Sequence, residues 1–544
     1  MSDETSRERM PTSYRAGGPA TDVASADAVP GLEPVVVGGG PLVIEDVVRV
    51  ARDGAPVVVA PAALEEVRRT REVVRGLASD TQPHYGVSTG FGALATRHIP
   101  VDLRHRLQRS LIRSHAAGSG PEVEREVVRA LMLLRVATLA TGRTGIREET
   151  LTTYVGLLNA GITPVVHEYG SLGCSGDLAP LSHCALALMG EGPVRDSKGE
   201  VVEAGAALAA AGLAPVELEE KEGLALVNGT DGMLGMLCLA LHDLRELLVV
   251  ADVAAAMSVE GLLGTDDVFA ADLHALRPQP GQAVSAANIR KVMAHSQIRE
   301  SHRTEACTRV QDAYSLRCAP QVAGGVRDTV DHAARVAAFE LASAVDNPVV
   351  TPDGRVESNG NFHGAPVAYV LDFLAIVAAD LASMSERRTD RFLDVARNHG
   401  LPPFLADDAG VDSGHMIAQY TQAAIVSEMK RLAVPASVDS IPSSAMQEDH
   451  VSMGWSGARK LRRSVDGLAR VLAVEVLTAA RGLQLRAPLA PAPATGAVVE
   501  ALVAAGASAP GPDRFLAPEV EVARRLVTDG TVRRVAEAHT GPLA

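Results

Sequence analysis

Residues 170–183 read GSLGCSGDLAPLSH, a glycine-rich loop that leads directly into the apolar run LSHCALALM. Asp177 is a favourable N-cap residue, and Pro180 suits the first turn of a helix. The pattern therefore predicts a helix over 177–189. Ser175 would lie just before its N-terminus, where unpaired N–H groups and the helix dipole favour negative charge.

The tripeptide Cys174-Ser175-Gly176 lies in the middle of this loop. Gly176 has no Cβ, so it tolerates positive-φ backbone geometry and leaves its amide nitrogen unhindered. If that nitrogen attacks the carbonyl of Cys174, a ring closes with the loss of one water, and Ser175 can lose a second water to give an exocyclic methylene. The product is a methylidene-imidazolone (MIO), an electrophile that no side chain supplies. The alternative is a loop that caps a helix around a phosphate, but the Lys-Ser/Thr ending of a P-loop is absent.

The run resembles the signature of the histidine/phenylalanine ammonia-lyase family, whose members build MIO from Ala-Ser-Gly. Cys174 replaces the usual Ala and only adds a thiol to a substituent, so we expect cyclisation to survive. The resemblance covers nearly everything from about residue 35 onward. The strings VHEYGSLGCSGDLAPLSH and PSSAMQEDHVSMGW are most similar to those of actinobacterial members that act on histidine. The family implies a homotetramer whose active sites each draw on three subunits.

Helical periodicity dominates the rest of the chain, and strand-like alternation is almost absent. Helices are predicted over 62–77, 102–117, 122–141, 177–189, 229–262, 329–344, 365–397, 413–432 and 456–483. Two short hairpins are predicted, over 194–202 and 349–358, with Lys-Gly and Asp-Gly turns. The fold class is therefore all-α with minor β, and the long helices indicate a bundle.

Three regions are predicted along the chain. Residues 1–33 are polar and rich in Gly, Pro, Ser, Thr and Ala, which is typical of a disordered extension. The resemblance implies that 34–228 form an N-terminal helical domain that bears the MIO. It also implies that 229–544 form the central bundle and C-terminal helices of an ammonia-lyase/fumarase-like fold.

Composition excludes several classes of partner. The net charge of −15 argues against nucleic acid and anionic membrane surfaces. The most apolar segment, which begins at Met233, is interrupted by charged residues, so we expect a core helix and no membrane span. Five cysteines without a CxxC pair indicate reduced thiols, and the first residues contain no apolar signal segment. We therefore expect a cytoplasmic protein.

Further motifs match residues of the family's active site. Tyr85, in YGVSTGFG, matches an active-site tyrosine, although a tyrosine in such a loop is ordinarily a packing residue. Its phenol, with a usual pKa near 10, would need nearby positive charge or donors to act as a base. Asn228, in NGTDG, matches a residue that contacts the substrate; otherwise the motif is a helix-start turn with Thr230 and Asp231 as caps. Phe362, in NGNFHG, matches an aromatic ring beside the MIO and is otherwise a core residue.

The segment VQDAYSLRCAPQV offers a second tyrosine and an arginine. Tyr314 and Arg317 are three residues apart, so one helical turn would put them on the same face. Arg317 can hold a substrate carboxylate with two parallel hydrogen bonds, and Gln311 would add a polar contact. The alternative is an ordinary solvated helix face, but the following Cys-Ala-Pro, which ends the helix, and the match to the family motif favour the functional interpretation.

His115 and Glu448 indicate the substrate. A His–Glu pair in a closed pocket requires a ring that donates and accepts hydrogen bonds, as imidazole does. A phenyl ring would leave each buried polar group unpaired, at a cost of about 1–3 kcal/mol. The pair therefore favours L-histidine over phenylalanine. Tyrosine-specific relatives also carry the histidine, but Glu448 favours a histidine substrate. The alternatives are a core histidine and a helix-start glutamate.

The resemblance implies non-oxidative deamination of L-histidine to trans-urocanate and ammonia, the first step of histidine degradation. We expect Tyr85 and Tyr314 to share the acid–base work, with Tyr85 as the β-proton base; Glu448 is an alternative. Whether the electrophile takes the amino group or the imidazole is open. No metal is expected, because no zinc-like ligand spacing occurs. The resemblance implies MIO as the electrophile, so no pyridoxal phosphate is expected. Rival functions are a tyrosine ammonia-lyase or aminomutase, a non-catalytic scaffold without MIO, and a fumarase-type lyase.

Overall fold

The structure, a computed structural model of the chain, describes residues 31–80, 82–173, 175–303, 307 and 310–544. The extension predicted over 1–33 therefore falls almost entirely outside the described residues, as does Cys174. Long helices dominate the described chain and the strands are two to four residues long. The predicted fold class, all-α with minor β, is confirmed.

The helices are α1 (Ile44–Val48), α2 (Pro61–Ala78), α3 (Arg104–His115), α4 (Arg125–Ala140), α5 (Glu148–Asn159), α6 (Leu178–Leu188), α7 (Ala204–Ala210), α8 (Glu222–Val227), α9 (Asp231–Gly261), α10 (Ala271–Ala275), α11 (Pro280–Val292), α12 (Gln297–Glu300), α13 (Tyr314–Arg317), α14 (Ala319–Leu341), α15 (Ala365–Leu393), α16 (Met416–Leu432), α17 (Gly454–Gln484), α18 (Pro493–Ala504), α19 (Ala517–Thr528) and α20 (Thr531–Thr540). A wider helical turn continues α1 over Arg49–Asp53, and tight turns cover Gly92–Leu94, Val101–Leu103, Asp267–Phe269, Pro403–Leu405 and Ser444–Met446.

The strands are β1 (Val35–Val37), β2 (Val57–Val59), β3 (Ser119–Glu122), β4 (Thr163–Pro164), β5 (His167–Tyr169), β6 (Pro193–Arg195), β7 (Val201–Glu203), β8 (Val349–Val350) and β9 (Val356–Glu357). The β1–β2 pair is parallel, whereas β3–β5, β4–β6–β7 and β8–β9 are antiparallel. Both predicted hairpins are confirmed as β6–β7 and β8–β9. The β1–β2 pair was not predicted, because its VVV runs show no alternation.

Eight of the nine predicted helices match observed helices with ends within four residues. The helix predicted over 329–344 is wrong at its start, because α14 begins ten residues earlier, at Ala319. The two adjacent glycines of VAGGV disfavour a helix, so the sequence pattern did not indicate that the helix includes them. A Cβ on Gly324 would lie 2.3 Å from the backbone nitrogen of Gln282, so this glycine permits close packing of α14 against α11.

The long helices α9, α14, α15 and α17 form the centre of the molecule. Helix α15 packs along α17, and α9 packs against α17, α14 and α4. Most buried apolar side chains of the described residues form one core from Val35 to Leu543, and Val74, Val87 and Val350 form a small second cluster. The boundary predicted between 228 and 229 falls in the link between α8 and α9, and this division of the chain stays a prediction.

One helix of the described chain, α15, is long and apolar enough to cross a membrane by length and composition. A core helix meets the same criterion, and 61% of its apolar window is buried inside the fold. Its uncovered side carries Tyr369, Phe373 and Ile376, which are 57%, 46% and 42% exposed. Their spacing of four and three residues puts them on one face of the helix.

Candidate active site

The N-termini of α6, α9, α15 and α17 surround the loop at residues 170–177, which we call the serine loop. Helix α6 begins directly after it. The N-cap residue of α17, Met453, donates its N–H to the carbonyl of Leu172 at 2.8 Å. The N-cap residue of α15, Gly364, donates to the carbonyl of Gly173 at 3.2 Å. Because helix N-termini carry partial positive charge, these ends favour negative charge at the loop.

Asp177 caps a different helix from the one predicted. It occupies the N-cap position of α6, but its side chain makes no capping bond there. Its Oδ2 instead accepts the N–H groups of Gly232 and Met233, both at 2.9 Å, in the first turn of α9. Its Oδ1 accepts from Ser171 Oγ at 2.8 Å. Burial raises the pKa of Asp177 to about 7, although these donors act in the opposite direction.

The predicted caps of α9 have other partners. Thr230 is the N-cap residue but donates its hydroxyl to Glu340. Asp231 accepts from Nε and Nη2 of the buried Arg135, whose Nη1 also binds the carbonyls of Ala225 and Asn228 at 2.8 and 3.2 Å. The alternative interpretation of this motif, a helix-start turn capped by Thr230 and Asp231, therefore holds for the position of Thr230 but not for the side-chain hydrogen bonds. Their side chains instead anchor the segment that carries Asn228.

Gly176 is in contact with this segment. The N–H of Asp177 donates to the carbonyl of Gly229 at 2.7 Å, and Gly176 pairs with Gly229 as an isolated bridge. The φ of Gly176 is +80°, and a Cβ there would lie 2.0 Å from the Gly229 carbonyl oxygen. Only glycine fits this position, and the contact places Asn228 next to the serine loop.

Glu448 reaches the serine loop from the segment before α17. The hydroxyl of Ser175 donates to Glu448 Oε1 at 3.2 Å, and that of Ser443 donates to Oε2 at 2.8 Å. Both Ser175 and Glu448 are half-buried. The tight turn Ser444–Met446 holds three consecutive residues at φ of 51°, 53° and 70°. Left-handed backbone at three successive non-glycine residues is costly, and such strain is concentrated at functional sites.

Tyr85 lies on a neighbouring loop. Its hydroxyl oxygen accepts from the N–H of Gly92 at 3.2 Å, and its ring packs edge-on against Phe91 at 6.4 Å. Burial raises the pKa of Tyr85, the Gly92 donor opposes this, and the negative charge of Glu448 adds to it. The Gly92–Leu94 turn packs on the Ser444–Met446 turn, so the loops of Tyr85 and Glu448 are in contact.

His115 is the last residue of α3 and is half-buried. Burial lowers the pKa of His115, whereas the nearby charge of Glu448 acts to raise it. The loop after it is fixed by α6, because Gly118 N–H donates to His183 Nε2 at 3.1 Å. Burial lowers the pKa of His183 to about 4, so it is a neutral acceptor near pH 7.

Phe362 and Asn228 complete this side of the cleft. Phe362 is half-buried and lies two residues before Gly364, which binds the serine loop. Asn228 is buried, and its Nδ2 donates to the carbonyl of Asn347 at 3.0 Å. Its Oδ1 is buried without a hydrogen-bond partner in the described chain. That oxygen is an acceptor available to a ligand.

The model of the aromatic amino acid lyase family matches residues 42–504 of this chain, which include the whole cleft. The chain belongs to the aromatic amino acid lyase family. A histidine ammonia-lyase from Streptomyces griseus is 68% identical over 512 residues, which cover 94% of this chain and 99% of that protein. One from Gloeobacter violaceus is 47% identical over 510 residues, with 94% and 98% covered.

Solved structures of related proteins share the fold. The tyrosine aminomutase from Streptomyces globisporus has a TM-score of 0.89 at 37% identity and covers 94% of this chain and 100% of its own. The histidine ammonia-lyase from Trypanosoma cruzi has a TM-score of 0.85 at 36% identity, with 93% and 96% covered. The predicted ammonia-lyase-like fold is confirmed.

In this lyase, Tyr314, Arg317 and Gln311 lie far from Ser175 within one chain. Asp177 binds the first turn of α9, whereas Asp312 accepts the N–H of Thr265, just beyond the end of α9, at 2.8 Å. Helix α9 has 31 residues and is therefore about 45 Å long. The segment with Tyr314 thus lies at the opposite end of the helix from the serine loop.

The geometry of that segment agrees with the predicted helical turn. Tyr314 to Arg317 form α13, and the guanidinium of Arg317 stacks on the ring of Tyr314 at 4.7 Å. Tyr314 is 70% exposed and Gln311 is also exposed, whereas Nε of Arg317 is buried without a partner in the described chain. Tyr314 and Gln311 therefore face outward from the single chain.

Several residues that build the cleft of this lyase were not predicted as site residues. The clearest are the buried charges Arg135, Lys221 and Asp346. Arg135 stands within the apolar run of α4, and a charge in such a run must find a partner. That signal could have identified Arg135, but not its partner. Among the described residues, no three His, Cys, Asp or Glu side chains lie together as a metal ion would require.

Proposed function

We propose that this chain catalyses the non-oxidative deamination of L-histidine to trans-urocanate and ammonia, the first step of histidine degradation. The observation that carries the proposal is the contact between Ser175 and Glu448, with His115 at the same cleft. The 68% identity to a histidine ammonia-lyase over nearly the full length supports it.

The proposed substrate follows from the polar groups of the cleft. Because burial lowers the pKa of His115, its imidazole is neutral near pH 7. Its Nδ1 lies 3.1 Å from Ser114 Oγ, so Nε2 is the ring nitrogen left to pair with the substrate, as donor or acceptor according to the tautomer. Glu448 is an acceptor. Imidazole can pair with both groups, whereas a phenyl ring would leave them unpaired, and such sites can reject the apolar analogue by roughly 10⁴-fold. Asn228 and Arg317 would hold the amino and carboxylate groups.

We propose that Cys174, Ser175 and Gly176 form MIO and that no metal or pyridoxal phosphate takes part. Two observations support MIO formation by these residues. Gly176 is left-handed and has no room for a side chain, and helix N-termini surround the loop. When formed, the group supplies a carbon electrophile beside the substrate. The surrounding N-termini stabilise negative charge that develops there.

We assign the proton-transfer steps to two tyrosines. Tyr85 Oη is the proposed acceptor of the β-proton, shared with Tyr314 as acid–base partner. Since burial raises the pKa of Tyr85, its phenol is protonated near pH 7 in the single chain, and the base role requires further positive charge at the cleft. Glu448, already bonded to Ser175, is the alternative base.

We propose a homotetramer whose active sites are shared between subunits. Tyr314, Arg317 and Gln311 lie at the far end of α9 from Ser175, so a site that uses both groups must take them from different chains. The exposed apolar stripe of Tyr369, Phe373 and Ile376 on α15 offers a surface for such packing. We place the enzyme in the cytoplasm, in keeping with the free thiols of the described cysteines.

The test is to incubate purified protein separately with L-histidine, L-tyrosine and L-phenylalanine. We expect urocanate absorbance with L-histidine alone. Coumarate from L-tyrosine, or a β-amino acid product, would contradict the proposal and indicate a tyrosine lyase or an aminomutase. Ser175→Ala should abolish activity and preserve helical content. Its control is Ser182→Ala, which removes a buried hydroxyl of α6 that binds only the carbonyl of Leu178 among its described contacts. Intact mass should show the loss of two waters from wild type but not from Ser175→Ala.

A further inference from the structure

Lys221 and Asp346 form an ion pair whose two side chains are completely buried. Nζ and Oδ2 are 2.5 Å apart. Lys221 has a φ of +73°, a left-handed conformation that is uncommon for a residue with a Cβ. A buried ion pair adds little net stability, and strained backbone lowers it. Stability alone therefore gives no reason for a lysine here.

Asp346 fixes the residue that follows it. Its Oδ1 accepts the N–H of Asn347 at 2.7 Å. The carbonyl of Asn347 in turn accepts from Nδ2 of Asn228 at 3.0 Å, the contact that orients the Asn228 amide. Because the amide is held by its nitrogen, its unpartnered Oδ1 stays directed away from Asn347. The ion pair is thus two hydrogen bonds away from a site side chain.

The side chain of Asn347 holds a second site segment. Its Oδ1 accepts the N–H of Asn359 at 2.9 Å and the hydroxyl of Ser358 at 3.1 Å. Asn359 Oδ1 then accepts the N–H of Asn361 at 2.9 Å, directly before Phe362. The turn that presents Phe362 is therefore built on Asn347.

The stem of Lys221 lies beside the third segment. A Cβ built on Gly86, next to Tyr85, would lie 3.6 Å from Cδ of Lys221 and 3.5 Å from Cδ of Pro348. Thus the loop of Tyr85, the amide of Asn228 and the turn of Phe362 all meet at the pair and its neighbour Asn347.

We propose that Lys221 and Asp346 are positioning residues of the active site, and that they act through Asn347 to set the amide of Asn228 against the serine loop. Neither touches substrate. The inference rests on the proposed function for its substrate, L-histidine. It predicts that removal of the pair lowers kcat/KM because the amide of Asn228 is displaced, while the overall fold is retained.

The test is a double-mutant cycle on kcat/KM with L-histidine. Lys221→Met/Asp346→Asn removes both charges but keeps an Oδ1 acceptor for Asn347. In the wild-type background we expect a loss of about 100-fold, as for a displaced positioning group. In the Asn228→Ala background the further loss should be less than about threefold, since the two changes share one effect. Equal losses in both backgrounds, or no loss in either, would overturn the proposal.

The matched control is a buried ion pair without contact to the cleft. Asp252 and Arg327, 1% and 12% exposed, join α9 to α14 at 2.6 Å. Arg327→Met/Asp252→Asn should leave kcat/KM within about threefold of wild type and show no coupling to Asn228.

Two further measurements separate the possible failures. Intact mass reports whether each variant still loses two waters, so failed ring formation is recognised apart from mispositioning. If wild type does not convert L-histidine, the proposed function fails before the cycle begins. If Lys221→Met/Asp346→Asn does not assemble, Asp346→Asn alone enters the same cycle, with the same supporting and overturning results.

Discussion

Ser175 and Glu448 are 273 residues apart in sequence, yet the hydroxyl of the first donates to Oε1 of the second at 3.2 Å. The contact joins the serine loop to the segment before α17. It also brings a carboxylate to the cleft that holds His115 and Tyr85, and the charge of Glu448 acts on the pKa of both.

Glu448→Gln should lower kcat/KM for L-histidine by about 10–100-fold, the range expected when a charged hydrogen-bond partner is lost. The amide retains the size of the side chain and an oxygen for Ser175, but it removes the negative charge that opposes the lowering of the His115 pKa. The neighbouring exposed carboxylate gives the control, Asp449→Asn, which should retain wild-type kinetics. Equal losses in the two variants would show that the Glu448 charge has no specific role.

Gly176→Ala should prevent formation of the active protein. The added Cβ would meet the Gly229 carbonyl oxygen at 2.0 Å, and φ at this position is +80°. Gly199→Ala separates the two causes, because φ is +87° there and nothing lies within 4 Å of the added Cβ.

We expect Gly199→Ala to lower the free energy of unfolding by about 1 kcal/mol and to leave activity unchanged. Gly176→Ala should lose activity and the mass signature of two missing waters. If Gly176→Ala kept both, the tight approach of the two glycines would not be needed for the reaction.

The sequence could predict elements that depend on local patterns. The long helices follow from apolar residues at three- and four-residue spacing, and the two hairpins from their turn residues. The motif around Ser175 could likewise be recognised, because the chemistry requires particular residues at adjacent positions. Resemblance to a family supplied the other candidate residues, since their contacts join segments hundreds of residues apart.

What the sequence could not predict are the partners chosen in three dimensions. Asp177 has the residue type and the position of an N-cap for α6. Its side chain instead caps α9, because the two helix ends meet at the serine loop. Glycine disfavours a helix, yet Gly324 lies inside α14. A glycine is needed there because α11 packs too close for a side chain. In each case a tertiary contact overrides a local preference.

Acid should destabilise the protein in part through the half-buried His183 and the buried His415. Burial lowers the pKa of His183 and of His415 to about 4, whereas the unfolded value is near 6.5. The folded state therefore binds fewer protons in this window. Their contribution is fully present above about pH 6.5 and is lost as the pH falls toward 4.

His415→Asn isolates this effect, because asparagine can still bond Thr478, which lies 3.1 Å from His415 Nδ1. Urea unfolding midpoints at about pH 7 and pH 5 should fall less steeply in the variant than in wild type. The comparison cancels the opposite contribution of Asp177, whose raised pKa favours the folded state at low pH. His295→Asn, at an exposed left-handed residue, is the control and should keep the wild-type slope. Equal slopes for wild type and His415→Asn would contradict the prediction.

Subunit mixing tests whether the sites are shared. Ser175→Ala and Tyr314→Phe should each be inactive alone, because each removes a required group. In a one-to-one mixed assembly, a site that takes Ser175 from one chain and Tyr314 from another receives both intact groups about a quarter of the time. Activity should therefore return to about a quarter of wild type.

The double variant Ser175→Ala/Tyr314→Phe, mixed one-to-one with wild type, gives the complementary measurement. Sites shared between chains again have both groups about a quarter of the time, whereas sites within one chain would have them about half of the time. No recovery in the first mixture and half activity in the second would place both groups in one chain. That result would conflict with their positions at opposite ends of α9, about 45 Å apart along its axis.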